Sequence, residues 1–401
     1  MRVLLSEGSG LTSRQTAWRL GELGHEVELL SSSRLCLSRF TRHVRAVHPA
    51  PNFGTDPFGW LDAAMATAKA RRIELLFPTQ EQVTILSAQR ERLTVATLVP
   101  PFAALRSVQD KISACRTLAR IGVPQPETVE LADAADLGRV SNFPVFVKRP
   151  VSTASSGVRR ATTADELAAA SADLGRGRGK LIVQAQAAGP LIMVQAVADR
   201  GRLIAHHANL RLAEGVGGGA AIKKSATVPG LAEILQNITS ALAWHGGLSL
   251  DVILTAGGPV VIDVNPRLVE PANAFFSGMD LVGAMLDLAT GEPARVRPVG
   301  RAGVLTHQSL LAILGAAERT GARSAVLREA AQAWLRRGPY SGSQEELTPT
   351  AGDWLACVPV MTALAATVLS PSLGRIFQRG AVGAYALTPE AWDAIVASAA
   401  R

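Results

Sequence analysis

Two apolar runs, Leu248 to Leu254 and Pro259 to Val264, are joined by Thr255-Ala256-Gly257-Gly258, and each run carries one aspartate, Asp251 or Asp263. Short apolar runs either side of a Gly-Gly turn read as a β-hairpin. The turn can set the two acids side by side on antiparallel strands. Carboxylates within apolar strands are costly unless they are paired or bound to a cation. Alternation at period two puts Asn265 on the face that carries Asp263. Magnesium takes hard oxygen ligands, usually one or two carboxylates with the rest from phosphate and water. Asp251, Asp263 and Asn265 are therefore a candidate metal set. Arg267 follows in Asn265-Pro266-Arg267, and a guanidinium there suits a carboxylate or a phosphoryl group in transfer.

A phosphate chain needs cations and close backbone N–H groups. The stretch FPVFVKRPVSTASSGVRRA supplies both. Lys148 ends a predicted strand, Phe143 to Lys148, and Ser155-Ser156-Gly157 closes a loop from Val151 whose small side chains permit close approach. Upstream, Val3 to Leu5, a glycine turn, a helical pattern through Ala17, Leu20 and Leu23, and Val27 to Leu30 open a doubly wound sheet. The turn Glu7-Gly8-Ser9-Gly10 lacks GxGxxG spacing, which argues against a dinucleotide site. Ile73 to Phe77 reads as a further strand, running into Pro78-Thr79-Gln80-Glu81. The periodicity predicts a helix from Ser107 to Arg120, a strand at Leu181 to Gln184, two strands between Leu191 and Leu212, and a loop at Gly217 to Gly219.

In order along the chain, Asp110-Lys111, FPVFVKRP, the Ser-Ser-Gly-Val loop, LIVQAQAAGP and LDVILTAGGPVVIDVNPR resemble the ATP-grasp superfamily. The resemblance covers roughly residues 1 to 295. It implies a Rossmann-like α/β domain over 1–105, an α+β ATP-grasp fold with a small subdomain (106–188) and a large one (189–295), and a mostly helical extension over 296–401. It also implies that Lys111 and Lys148 contact nucleotide phosphates and that Ser155, Ser156 and Gly157 lie in the loop closing over them. Gln184, Ala185 and Gln186 would form the hinge beside adenine, Asp251, Asp263 and Asn265 would hold Mg²⁺ (or Mn²⁺), and Arg267 would meet the reacting group. Lys223 and Arg211 are secondary candidates for the γ-phosphate and the carboxylate. The chain departs from the family at Leu191, which stands where members carry an acidic ribose contact, and at Asp263, where they commonly carry Glu.

The expected activity is an ATP-dependent ligase that activates a carboxylate as an acyl phosphate for attack by an amine. Another ATP-grasp output, or a non-catalytic ATP-binding regulator, is the alternative. Bulk properties agree. A net charge of +8 favours an anionic partner, but aromatics at 4 % and no basic stretch interleaved with stacking residues argue against nucleic acid. The three cysteines have no CxxC spacing, which fits a reducing cytoplasm. No run is long enough to span a membrane; Ala356 to Leu369, interrupted by Pro359, reads as a buried helix or a partner-binding face. For the tail, completion of the acceptor pocket and a homodimer interface both stay open.

Overall fold

A computed structural model of the chain describes residues 1–175, 179–290, 294–347 and 352–399. It begins with a five-stranded parallel sheet. The strands Arg2–Leu5, Glu26–Ser31, Val44–Pro49, Leu75–Phe77 and Ala96–Thr97 lie in the order third, second, first, fourth, fifth. Val3, Leu5, Val27 and Leu29 bury on one face, Leu4, Leu30 and Leu76 on the other. Parallel strands covered on both sides need such continuous apolar runs. The carboxyl ends of the first and fourth strands lead into Ser6–Gly10 and Pro78–Gln82. In open α/β sheets, sites form beyond these ends.

A four-stranded antiparallel sheet follows, ordered Thr128–Leu131, Leu181–Ala185, Val145–Lys148, Val158–Ala161. The helix Ala164–Gly175 covers it, with Leu167 and Leu174 packed on Val145, Val147 and Val183.

The third sheet has seven strands, in the order Gly258–Asn265, Gly246–Thr255, Leu191–Asp199, Arg202–Glu214, Ala220–Ser225, Leu305–His307, Gln344–Glu345. Its two faces differ in chemistry. On one, Ile192, Val194, Leu248, Leu250 and Val252 pack against the helix Leu231–Ala241, whose Leu231, Leu235 and Ile238 recur at helical spacing, and against Val108, Ala114 and Leu118. Cross-strand partners share a face. The register Asp263–Asp251–Met193–Asn209–Ser225, and beside it Asn265–Ser249–Gln195–His207, therefore makes the other face polar.

One expectation needs correction. The helix read from Ser107 to Arg120 is two helices, Phe102–Gln109 and Lys111–Arg120, broken at Asp110. Asp110 is extended and its side chain accepts from the Ser113 N–H at 3.0 Å, a cap worth about 1 kcal/mol; apolar periodicity runs through such a break. The extension is mostly helical, as expected, and also contributes two short strands. Leu305–His307 and Gln344–Glu345 complete the large sheet, while Leu387, Ala391, Trp392 and Ile395 enter the core of the first domain with Phe53, Trp60 and Leu61. The apolar stretch near its middle forms the helix Cys357–Leu369, which buries Val360, Ala363 and Thr367 and exposes Met361 and Leu369. Among the described residues, no helix is long and apolar enough to cross a membrane.

Candidate functional site

The hairpin predicted from sequence forms, and its register sets Asp251 opposite Asp263. Two cations from separate elements meet these acids. Lys111 opens its helix just after the Asp110 cap, and its Nζ lies 3.3 Å from Asp263 Oδ1. Lys148, at the end of its strand, crosses from the small sheet to the large one. Its Nζ donates to the carbonyl of Ile262 at 2.9 Å and to Gln184 Oε1 at 2.7 Å. The two antiparallel sheets thus face each other across a cleft with lysines on one side and aspartates on the other.

The electrostatics fit a site that expects more charge. Burial pushes the Asp251 carboxyl up to about 6, and Asp263 beside it pushes in the same direction. Lys148 is held below the ordinary lysine range by burial; Asp263 opposes the shift and Lys111 adds to it. Two carboxylates crowded on adjacent strands need a cation, and with Asn265 they offer only hard oxygen donors, as magnesium prefers. These residues fit that ion. Among the described residues, no group of three or more His, Cys, Asp or Glu gathers as a metal cage, so phosphate and water would have to complete the shell.

Two loops meet each other. Ala154–Gly157 forms a single tight turn lying against the turn Val216–Gly218. A side chain at Gly157 would collide with Ser152 and press on Arg149, so the small residue is required there. Ser156 Oγ donates to the Thr153 carbonyl at 2.8 Å; the Ser155 side chain lies outside the described residues. Arg211 braces the second turn through the Gly218 carbonyl at 2.7 Å and pairs with Glu214 at 2.6 Å.

Other candidates make contacts within the chain itself. The Gln184 amide bonds Lys148 Nζ and Thr128 Oγ1 at 3.3 Å, which positions the lysine. The Ala185 and Gln186 N–H groups bond the carbonyls of Glu127 and Pro144, and Gln186 Oε1 accepts from Arg160 at 2.8 Å. Arg267 is paired with Glu81 at 3.0 Å, in the segment after the fourth parallel strand, and both are nearly buried. Leu191 begins its strand half-buried, with no group to hold a hydroxyl.

Lys223 does not join the acid–lysine cluster. It lies three strands from Asp251, about 14 Å at the usual strand spacing. There it is enclosed, 1 % exposed, between Glu270 at 2.5 Å and Glu346 at 2.8 Å. Glu270 lies three residues beyond Arg267. Glu346 and Gln308 arrive from the tail and carry no motif, so the sequence analysis missed them.

A model of the ATP-grasp domain matches residues 108–271, the span holding both lysines, the glycine loop and the paired aspartates. The chain carries an ATP-grasp domain. Solved structures share its fold at low identity. An N5-carboxyaminoimidazole ribonucleotide synthetase from Thermus thermophilus is 18 % identical, with 85 % of this chain and 100 % of that one covered at a TM-score of 0.61. A biotin carboxylase from Campylobacter jejuni, complexed with β-γ-ATP, is 18 % identical over 76 % and 74 % of the two chains at a TM-score of 0.62. An L-amino acid ligase from Bacillus licheniformis is 17 % identical over 74 % and 78 % at 0.59. No curated protein sequence matches the chain. The ATP-grasp domain stops short of the tail, which supplies Gln308 and Glu346 to the same polar face.

Proposed function

We propose that the protein is an ATP-dependent ligase that activates a carboxylate as an acyl phosphate and joins it to an amine, releasing ADP and phosphate. The observation that carries this reading is the convergence of Lys111 and Lys148 on Asp251 and Asp263 across the cleft of an ATP-grasp domain.

A carboxylate oxygen is a poor leaving group, so direct attack by an amine fails. In the first step, a substrate carboxylate oxygen attacks the γ-phosphorus and the bond to the ADP oxygen breaks. In the second, the amine nitrogen attacks the carbonyl carbon, phosphate leaves with the C–O bonding pair, and the nitrogen loses a proton. Lys111 and Lys148 hold the phosphate chain and offset charge on its equatorial oxygens. The turns at Ala154–Gly157 and Val216–Gly218 close over the phosphates and exclude water from the acyl phosphate. Asp251, Asp263 and Asn265 would hold Mg²⁺, which when bound polarises the phosphoryl oxygens. Mn²⁺, which shares that oxygen preference, would substitute. Arg267, with Glu81 fixing its plane, would meet the carboxylate.

The reading extends to a cytoplasmic protein, supported by three free cysteines, and to a homodimer through apolar side chains exposed on the tail helices, among them Leu335, Leu369 and Ile376. Incubation with ATP, Mg²⁺, hydroxylamine and a pool of carboxylates tests the chemistry. Hydroxamate together with ADP supports it; ATP bound without hydroxamate or ADP across the pool overturns it in favour of a regulator.

A further inference from the structure

The buried cluster around Lys223 has an uneven charge. Glu346 and Lys223 are at most 1 % exposed, and Glu270 is 13 % exposed. Lys223 Nζ and Gln308 Nε2 both bond the same two oxygens, Oε2 of Glu270 and Oε2 of Glu346. Gln15 Nε2 and Thr306 Oγ1 complete Glu346. One ammonium therefore serves two carboxylates, and among the described residues Oε1 of Glu270 has no hydrogen-bond partner. A buried charge without a counter-charge is costly.

A second observation points the same way. Gln308 and Gln195 are buried, each places its N–H₂ on the cluster or on the Glu270 carbonyl, and each leaves its Oε1 with no partner. The donor bonds fix which end of each amide is oxygen. Every unmet group named here is an acceptor: two amide oxygens and one carboxylate oxygen. Glu270 also holds a left-handed backbone (φ 52°), unusual for a residue with a side chain, and is pinned there by Thr12 Oγ1 on its N–H and Gln195 on its carbonyl. Such strain persists where surroundings enforce it, and it aims the carboxylate.

We propose that Glu270, backed by Glu346 and the Gln195 and Gln308 carbonyls, anchors an ammonium group on the substrate. With both carboxylates ionised, a second cation would bring the cluster to two positive and two negative charges and would give the unpartnered Glu270 Oε1 a donor. A protonated nitrogen has no lone pair, so this ammonium positions the substrate and does not attack. Such an anchor selects carboxylates or amines that carry an additional cationic nitrogen. The tail makes this selectivity by supplying Glu346 and Gln308. This inference rests on the ligase reading for its place beside the reacting centre.

The test pairs each of a set of ammonium-bearing acids with an isostere in which methyl replaces the ammonium: lysine with 2-aminoheptanoate, ornithine with norleucine, β-alanine with butyrate. Each is assayed for ATP-dependent hydroxamate formation, for ADP release with a second amine, and for calorimetric binding without turnover. In the wild-type chain, at least one ammonium probe should exceed its isostere tenfold or more in kcat/KM or in affinity. Glu270→Gln leaves Lys223 paired one-to-one with Glu346, so the fold is kept. It should bring that ratio close to one through KM, and Gln308→Leu should lower it part of the way. Equal ratios in the wild type, or a ratio surviving Glu270→Gln, would overturn the anchor while ADP release left the ligase reading intact. Failure of every probe to bind or react overturns the anchor; loss of ATP binding and ADP release as well removes the ligase reading beneath it.

Discussion

Two charged clusters share one face of the seven-stranded sheet, and they are built in opposite ways. Around Asp251 and Asp263, two acids meet two lysines that reach in from another sheet and another helix. Around Lys223, one lysine is closed within two acids and an amide, with almost no exposure. The first balances two acids with two lysines; the second sets one lysine against two acids. Charge is matched in the open cluster and left unmatched on a carboxylate oxygen at the rim of the closed one.

The sharpest way to break this contrast is at the open cluster. Asp251→Asn should lower Mg²⁺-dependent ADP release about 10³-fold, with little loss of stability, since it relieves crowding with Asp263. Steady-state assays with saturating ATP and substrate would show it. Retention of more than a tenth of wild-type activity would put the reacting charge elsewhere.

The open cluster was legible in the sequence because each of its parts is local. Asp251 and Asp263 are set by a single Gly-Gly turn, and Lys148 ends a strand of regular pattern. The closed cluster draws Gln15, Lys223, Glu270, Gln308 and Glu346 from five separate elements, so no spacing rule could link them. The Gln184 contact was not legible for a related reason: a strand-end position beside a hinge does not reveal that Lys148 will take its amide. Of the fold, the long strands and helices were readable, while Leu305–His307 and Gln344–Glu345 were not, because strands of three and two residues carry too little periodicity.

Stability should separate the clusters next. Lys223→Met leaves two buried carboxylates facing each other and should cost about 3 kcal/mol or more. Lys148→Met strands only an amide oxygen and the Ile262 carbonyl, a loss of about 1 kcal/mol. Urea unfolding of both variants measures the gap. Equal losses would mean that Lys148 is as structural as Lys223.

In nucleotide binding the order should reverse. Lys148→Met should weaken ATP about 10²-fold, the scale of a lost charge-assisted contact. A Lys223 variant rescued for stability at low temperature should bind ATP within a few-fold of wild type. Titration calorimetry checks both. An equal loss in the two would carry the phosphate chain across to Lys223 and dissolve the distinction.

His207 gives the finest test, because it sits on the polar face between the clusters, bonded to Asn273 at 2.8 Å. Burial lowers its pKa from 6.5 to about 4; the Asn273 bond opposes the shift, and His206 and Lys223 add to it. Between those values the unfolded chain takes up a proton that the folded chain refuses. Stability from this group is therefore present above pH 6.5 and is lost as pH falls toward 4, with a slope of at most about 1.4 kcal/mol per pH unit. His43, His206, His245 and His307 are shifted downward too, so the wild-type slope contains their share. His207→Gln keeps a hydrogen bond to Asn273 and removes only the titration. Its unfolding free energy should follow the wild-type curve above pH 7 and fall less steeply between pH 6.5 and 5. Parallel curves throughout would mean that His207 accepts its proton in place, and that the floor between the clusters is wetter and more negative than its burial implies.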